Sequence, residues 1–333
     1  MSLVSLGDLA QSLILRRNMN HTKLQVQTLS QEMTTGVTSD IARHLRGDLG
    51  PLNGLGQTLS HLEGYRSVST ELELFAGSMQ AALESLDGFA SALATPLQAA
   101  SVAGDAASID AMGAEAQQKF EAAIGLLNTR VGDRALFSGK ATDRTPLPDG
   151  SAIIAHLQSL VATETTAEGV RDAVFSWFDD PAGYSATYAG DEALSAVDIG
   201  HGENARLAIT AEADGVIETL KGLAIAALTA KGATALQKDE RAALGIMAGA
   251  SLMASQSARA DMRADLAVTE NRIAAAQTRN SAETTALEIA RAKLIEVDAY
   301  EAATELTAAQ TRLETIYAVT WRLSSLNLAS YLR

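Results

Sequence analysis

The apolar positions in the C-terminal third of the chain recur in steps of three or four. Leu287, Ala290, Leu294, Val297, Tyr300, Ala303, Leu306, Ala309, Leu313, Ile316, Val319, Leu323 and Leu326 follow one another this way, while Glu288, Arg291, Glu296, Glu305 and Arg312 fall on the other side. This is a narrow stripe of the coiled-coil kind. The last glycine is Gly249 and the last proline is Pro181, so residues 250–333 contain neither helix breaker. The pattern predicts helix throughout, on the order of 125 Å long if unbroken at 1.5 Å per residue. A helix with one apolar seam is not stable alone in water. Leu287, Leu294, Val297, Leu306, Leu313, Ile316, Leu323 and Leu326 are therefore the expected assembly seam. It serves as an internal bundle core and as a contact surface for neighbouring subunits.

The N-terminal part supplies partners of the same period. Leu9, Leu13, Met19, Val26, Leu29 and Met33 mark a first helix ending near Gly36. Residues 37–56, with Gly47, Gly50, Pro51, Gly54 and Gly56, read as a loop. A second long helix is expected from about Thr58 to Ala94, with Leu59, Leu62, Val68, Leu72, Phe75, Met79, Leu83 and Leu86 at helical spacing. Pro96 and Gly104 should interrupt it, and helix resumes over Ile109–Val131.

The middle has a different texture. Residues 132–206 hold Pro146, Pro148 and Pro181 and many glycines. Helices are expected over Ser151–Thr163 and Ala167–Phe178. Strands are expected over Ala193–Ile199 and Ala205–Ala211, joined by the loop Gly200-His-Gly-Glu-Asn204. A helix over Asp214–Ala230 leads back to the C-terminal run. The fold class is therefore mainly α. A long antiparallel helical bundle or coiled coil is formed by the N- and C-terminal segments (1–131 and 212–333), with a small mixed α/β insert at 132–211.

Composition narrows the function. Apolar residues make up 47% but aromatics only 4%, and alanine carries much of the apolar share, which suits close-packed helices better than a large globular core. The net charge of −14 lacks the basic footprint that nucleic acid requires. There is no cysteine, hence no disulfide, thiolate metal site or cysteine nucleophile. Residues 1–8 lack a basic n-region and carry Asp8, so no cleaved secretory signal is expected. No run of 18 apolar residues suggests a membrane partner.

The sharpest enzymatic candidate is Val197-Asp-Ile-Gly200-His-Gly202-Glu-Asn-Ala205, whose G-x-G-x-x-A spacing resembles a nucleotide or S-adenosylmethionine loop. Such a loop needs a helix after it, and Leu207-Ala-Ile-Thr210 reads as a return strand, so a hairpin is the better reading. His21, His44, His61, His156 and His201 form no H-x-x-x-H pair, and no G-x-S-x-G elbow occurs. Asp179-Asp180 and Asp239-Glu240 sit at expected helix ends, the latter favouring a helix start through its dipole. No enzyme activity, cofactor or metal is expected.

Several stretches resemble the flagellin and hook-associated protein family. Leu15-Arg-Arg-Asn18 followed by Leu29-Ser-Gln-Glu-Met-Thr-Thr-Gly36 is similar to its opening helix. Leu127-Asn-Thr-Arg-Val-Gly-Asp-Arg-Ala-Leu-Phe-Ser-Gly139 resembles the segment that closes the second N-terminal helix in its hook–filament junction members. Tyr188-Ala-Gly-Asp191 with Val197-Asp-Ile-Gly200 resembles the insert hairpin, and Tyr300–Leu306 through Leu326–Arg333 the terminal helix. The Asn-Pro-Ser-Asp-Asp-like turn of the family is replaced here by Thr38-Ser-Asp40 and Arg46-Gly-Asp48. The resemblance implies a bacterial flagellar structural subunit of the hook–filament junction, or alternatively a filament-forming flagellin. It would be exported through the flagellar type III channel without a cleaved signal and assembled outside the cell through its terminal helices. The implied partners are other copies of itself, a neighbouring hook-associated protein, flagellin and an export chaperone.

Overall fold

The protein is described by a computed structural model covering residues 6–331, with side chains described for residues 12–323. Helix makes up 73% of it, and strands are confined to two small two-stranded sheets. The mainly helical expectation therefore holds.

The chain opens with α1 (Leu6–Thr35), one turn of α2 (Ile41–His44), α3 (Gly50–Ala103) and α4 (Ala106–Leu127). The ribbon β1 (Arg130–Val131) and β2 (Arg134–Ala135) follows, then α5 (Gly150–Leu160), α6 (Ala167–Asp179) and α7 (Tyr184–Thr187). Next come β3 (Val197–Gly200), β4 (Glu203–Ala205), α8 (Asp214–Ala227), α9 (Lys238–Ala254), α10 (Gln256–Ile295) and α11 (Ala299–Tyr331). Packing divides the chain into a terminal unit, residues 1–61 with 282–333, and a central unit, residues 62–281.

Four sequence expectations are corrected. The stretch 50–56 is not loop but the first turns of α3. Pro51 occupies the first turn, where its missing N–H costs nothing, and Asp48 accepts the Gly50 N–H at 3.1 Å. Pro96 does not interrupt α3. It lies inside the helix on the solvent side, and α3 ends only at Gly104, where φ is +65°. The strands are shorter than their alternation suggests, and residues 207–211 are irregular. The C-terminal run is not one helix. It breaks at Ser255 and again at 296–298.

In the central unit, α8 is the hub, packed by α4, α6 and α9. Residues 219–229 are buried on every side, which explains a run as uniformly apolar as Leu223-Ala-Ile-Ala-Ala-Leu228. Close approach rests on glycine where helices cross. A Cβ at Gly249 of α9 would stand 2.8 Å from the Ala94 carbonyl of α3. Lys221 is the buried charge of α8, and its ammonium donates to Asp179 and Glu218, both at 2.6 Å. Burial alone would lower its pKa, but the two carboxylates outweigh that and hold it above the ordinary lysine value.

The segment Leu136-Phe-Ser-Gly139 holds the insert together. Leu136, Phe137 and Ser138 are buried. The Phe137 carbonyl accepts the Ala211 N–H (2.9 Å) and the Tyr188 hydroxyl (3.2 Å), and the Ser138 carbonyl accepts the Asp191 N–H (2.9 Å). Burial pushes the Tyr188 phenol up to about 12, and buried Tyr184, whose hydroxyl donates to the Ala211 carbonyl, is raised further. Gly139 has φ +60°, and any Cβ there would strike the carbonyls of Asp191 and Glu192. Gly139→Ala is therefore expected to cost about 3 kcal/mol, from the left-handed backbone and the clash together. Denaturant unfolding followed by Trp177 fluorescence measures this, and a loss below about 0.5 kcal/mol would contradict it.

Candidate assembly surface

The terminal unit is built on α1 and α11, which pack side by side. They run antiparallel, since Gly36 bonds Val297 at one level while Lys23 lies over the Tyr317 ring at another. On α1 the inward positions are Leu15, Met19, Thr22, Val26 and Leu29, spaced 4-3-4-3. On α11 they are Ala302, Leu306, Ala309, Leu313 and Ile316, in the same alternation, with Leu323 one heptad further on. This is heptad spacing, and it makes the pair a two-stranded coiled coil.

Both helices are bounded at one level by a stitched joint. The Val297 N–H donates to the Gly36 carbonyl (3.0 Å), and the Thr38 N–H to the Ile295 carbonyl (2.9 Å), making a single antiparallel bridge between Val37 and Glu296. Gly36 takes φ +69° as α1 ends. Asp298 then opens α11, its carboxylate accepting the N–H groups of Tyr300 (2.8 Å) and Glu301 (3.1 Å).

The expected seam residues divide accordingly. Leu306, Leu313, Ile316 and Leu323 share the α11 face turned to α1, and each is half-buried. Leu287 and Leu294 are half-buried on α10, and Val297 lies in the joint between the two helices. Leu326 belongs to α11, but its side chain lies outside the described residues. Tyr300 and Val319 do not join the packed face and are exposed.

Burial separates the two units sharply. Among the described residues, the terminal unit contributes only Leu29, Ala302 and Ala309 to the buried apolar set, and every other member belongs to the central unit. Yet eleven of the eighteen exposed large hydrophobic side chains are in the terminal unit, including Leu13, Leu24, Tyr300 and Trp321. Charge follows the same division. The terminal unit carries ten basic and eleven acidic residues, against sixteen and twenty-nine in the central unit. A near-neutral surface rich in exposed apolar groups is the signature of a contact region.

The enzymatic candidate takes a different form. Gly200-His-Gly-Glu is the turn between β3 and β4, with Gly202 at φ +72°. Irregular chain follows β4, so no helix N-terminus stands where a cofactor phosphate would sit. Asn280 of α10 instead donates to the Ile199 carbonyl at 2.8 Å and ties the hairpin to the bundle. Among the described residues, no group of three His, Asp or Glu side chains is placed to hold a metal ion, and no helix is long and apolar enough to cross a membrane.

This arrangement is mainly helical, an antiparallel terminal coiled coil together with a central helical bundle that carries a small insert. Residues 254–332, which correspond to α10 and α11, match the family model of the bacterial flagellin C-terminal helical region. The match supports the flagellin and hook-associated family and a flagellar structural subunit. A comparison with curated proteins returned no match.

Proposed function

We propose that the protein is a hook–filament junction subunit of the bacterial flagellum, of the FlgL type, which joins the hook side to the filament through its terminal helices. The observation that carries an assembly role is the imbalance of the terminal unit, with three buried apolar residues and eleven large exposed ones among those described. Such a unit gains most of its apolar burial from neighbours, as in coupled folding and binding. The junction reading in particular draws on Leu136-Phe-Ser-Gly139 and the short insert. In this reading segments 1–131 and 212–333 are the assembly arms. Leu287, Leu294, Val297, Leu306, Leu313, Ile316, Leu323 and Leu326 line the seam, and the insert at 132–211 faces outward. The subunit is exported through the type III channel without a cleaved signal, with a chaperone guarding its apolar helices. Its neighbours are a hook-associated protein on one side and flagellin on the other.

Deletion of the gene tests this directly. A strain lacking a junction protein secretes monomeric flagellin into the medium and builds hooks without filaments. A strain that still grows filaments of normal length would refute the junction role. Purified protein that polymerises alone into long filaments would instead identify it as a flagellin.

A further inference from the structure

The insert holds a cavity that no seam residue lines. It measures about 240 Å³ and lies between α5, the end of α6 and α7. Ile153 and His156 of α5 line it together with Trp177 of α6. Ala182, Gly183 and Ala186, on the turn after α6 and on α7, add little more than methyl groups to the lining.

The walls are fixed by packing behind them. The Trp177 ring meets those of Phe178 and Tyr184 edge-on, with centroids 4.9 and 6.0 Å apart, and that of His156 at 5.5 Å. Tyr184 is fully buried, and its hydroxyl donates to the Ala211 carbonyl at 2.9 Å. Any Cβ at Gly183 would strike the Trp177 carbonyl, so glycine lets the chain turn closely between α6 and α7. Ile153 is buried in the insert core. The cavity is therefore preformed, and a ligand would not have to order it.

The lining selects the ligand. No Asp, Glu, Lys or Arg lines the cavity, so it offers an ion no counter-charge, and a desolvated charge there would be costly. Apolar cavities of roughly 150 Å³ admit a benzene ring, so this one has room for a ring with a short substituent or for a fused pair. Two of its lining side chains are themselves rings, and aromatic pairs gain more than their buried area alone provides. The Thr187 hydroxyl is spent on the Tyr184 carbonyl at 2.7 Å. The Trp177 indole N–H and the His156 imidazole make no hydrogen bond with the described residues and are left for one polar substituent. We infer that the insert carries a binding site for a small neutral aromatic compound with one polar group, of the phenol or indole class.

The chain has two tryptophans, which allows an internally controlled test on the full-length protein. Isotope labelling of the indole nitrogens gives one NMR signal from Trp177 and one from Trp321, which lies in the terminal unit. Titration with para-cresol should shift the Trp177 signal saturably, with half-saturation below about 1 mM, and leave Trp321 in place. Ala186→Phe, at an exposed position of α7, fills the cavity with a ring and should weaken binding by about tenfold or more without lowering the unfolding midpoint. Ala182→Leu, also at an exposed position, is a second filling variant should the first not fold. Cyclohexanol, a ring without aromaticity, and benzoate, a ring with a charge, should each bind about tenfold more weakly than para-cresol. A Trp177 signal unmoved at about 10 mM para-cresol, or a shift that a folded filling variant keeps, would overturn the site. Equal binding of cyclohexanol or benzoate would overturn its selection of neutral aromatic rings.

Discussion

Replacing Asp87 by alanine should destabilise the central unit by about 3–5 kcal/mol, the cost of leaving a buried ion unpaired. Its partner is Arg259, whose side chain is 2% exposed. The Arg259 Nε–H donates to Asp87 at 2.7 Å, while Nη1 donates to the Ser255 hydroxyl (2.6 Å) and the Leu252 carbonyl (3.2 Å). The last contact explains the break between α9 and α10. Where the helix is interrupted at Ser255, the Leu252 carbonyl is taken up by the guanidinium and by the Ser255 hydroxyl (3.1 Å). Without Asp87 the charge keeps its two neutral partners but loses its counter-ion, and Arg263, 3.7 Å from the same carboxylate, is left as a nearby like charge. The effect should be lopsided. Asp87→Leu combined with Arg259→Met replaces the pair by apolar groups and should recover most of the loss, because a buried pair adds little net stability over a well-packed apolar one. Denaturant unfolding followed by Trp177, which is half-buried in the central unit whereas Trp321 is exposed, measures both variants. A double variant as unstable as Asp87→Ala would show that the pair sets the geometry of the break rather than merely neutralising charge.

That break illustrates where the sequence is readable and where it is not. Helix as the dominant element follows from periodicity and missing breakers, and both are local properties. At the interruption at Ser255, Arg259 reaches Asp87, which is 172 positions away. No local pattern carries that. The joint at 296–298 was more accessible. Asp298 followed by Glu301 is an N-terminal capping signature in the middle of an otherwise continuous seam. The glycine-rich opening of α3 misleads for the converse reason, since Pro51 and Gly54 read as loop while Pro51 in a first turn favours helix. The boundary of the terminal unit falls inside α3 and α10, so no linker composition marks it. For the assembly surface, apolar periodicity finds the half-buried seam on Leu306 and Leu313.

The seam should fail when a charge is introduced. Leu313→Asp, with Leu306→Asp as a second case, places a carboxylate on the half-buried face between α1 and α11. A buried carboxylate without a partner costs several kcal/mol, and the terminal unit has little burial to set against it beyond Leu29, Ala302 and Ala309. The coiled coil should therefore open, and its helices, 30 and 33 residues long, become marginal once unpaired. Far-UV circular dichroism should fall, incorporation into the flagellum should be lost, and the Trp177-monitored transition of the central unit should move by less than about 0.5 kcal/mol. Secretion should persist, since the proposed export route carries the chain before the coiled coil forms. Should Leu313→Asp assemble and support motility like the wild type, the packed face of α11 would have no part in assembly.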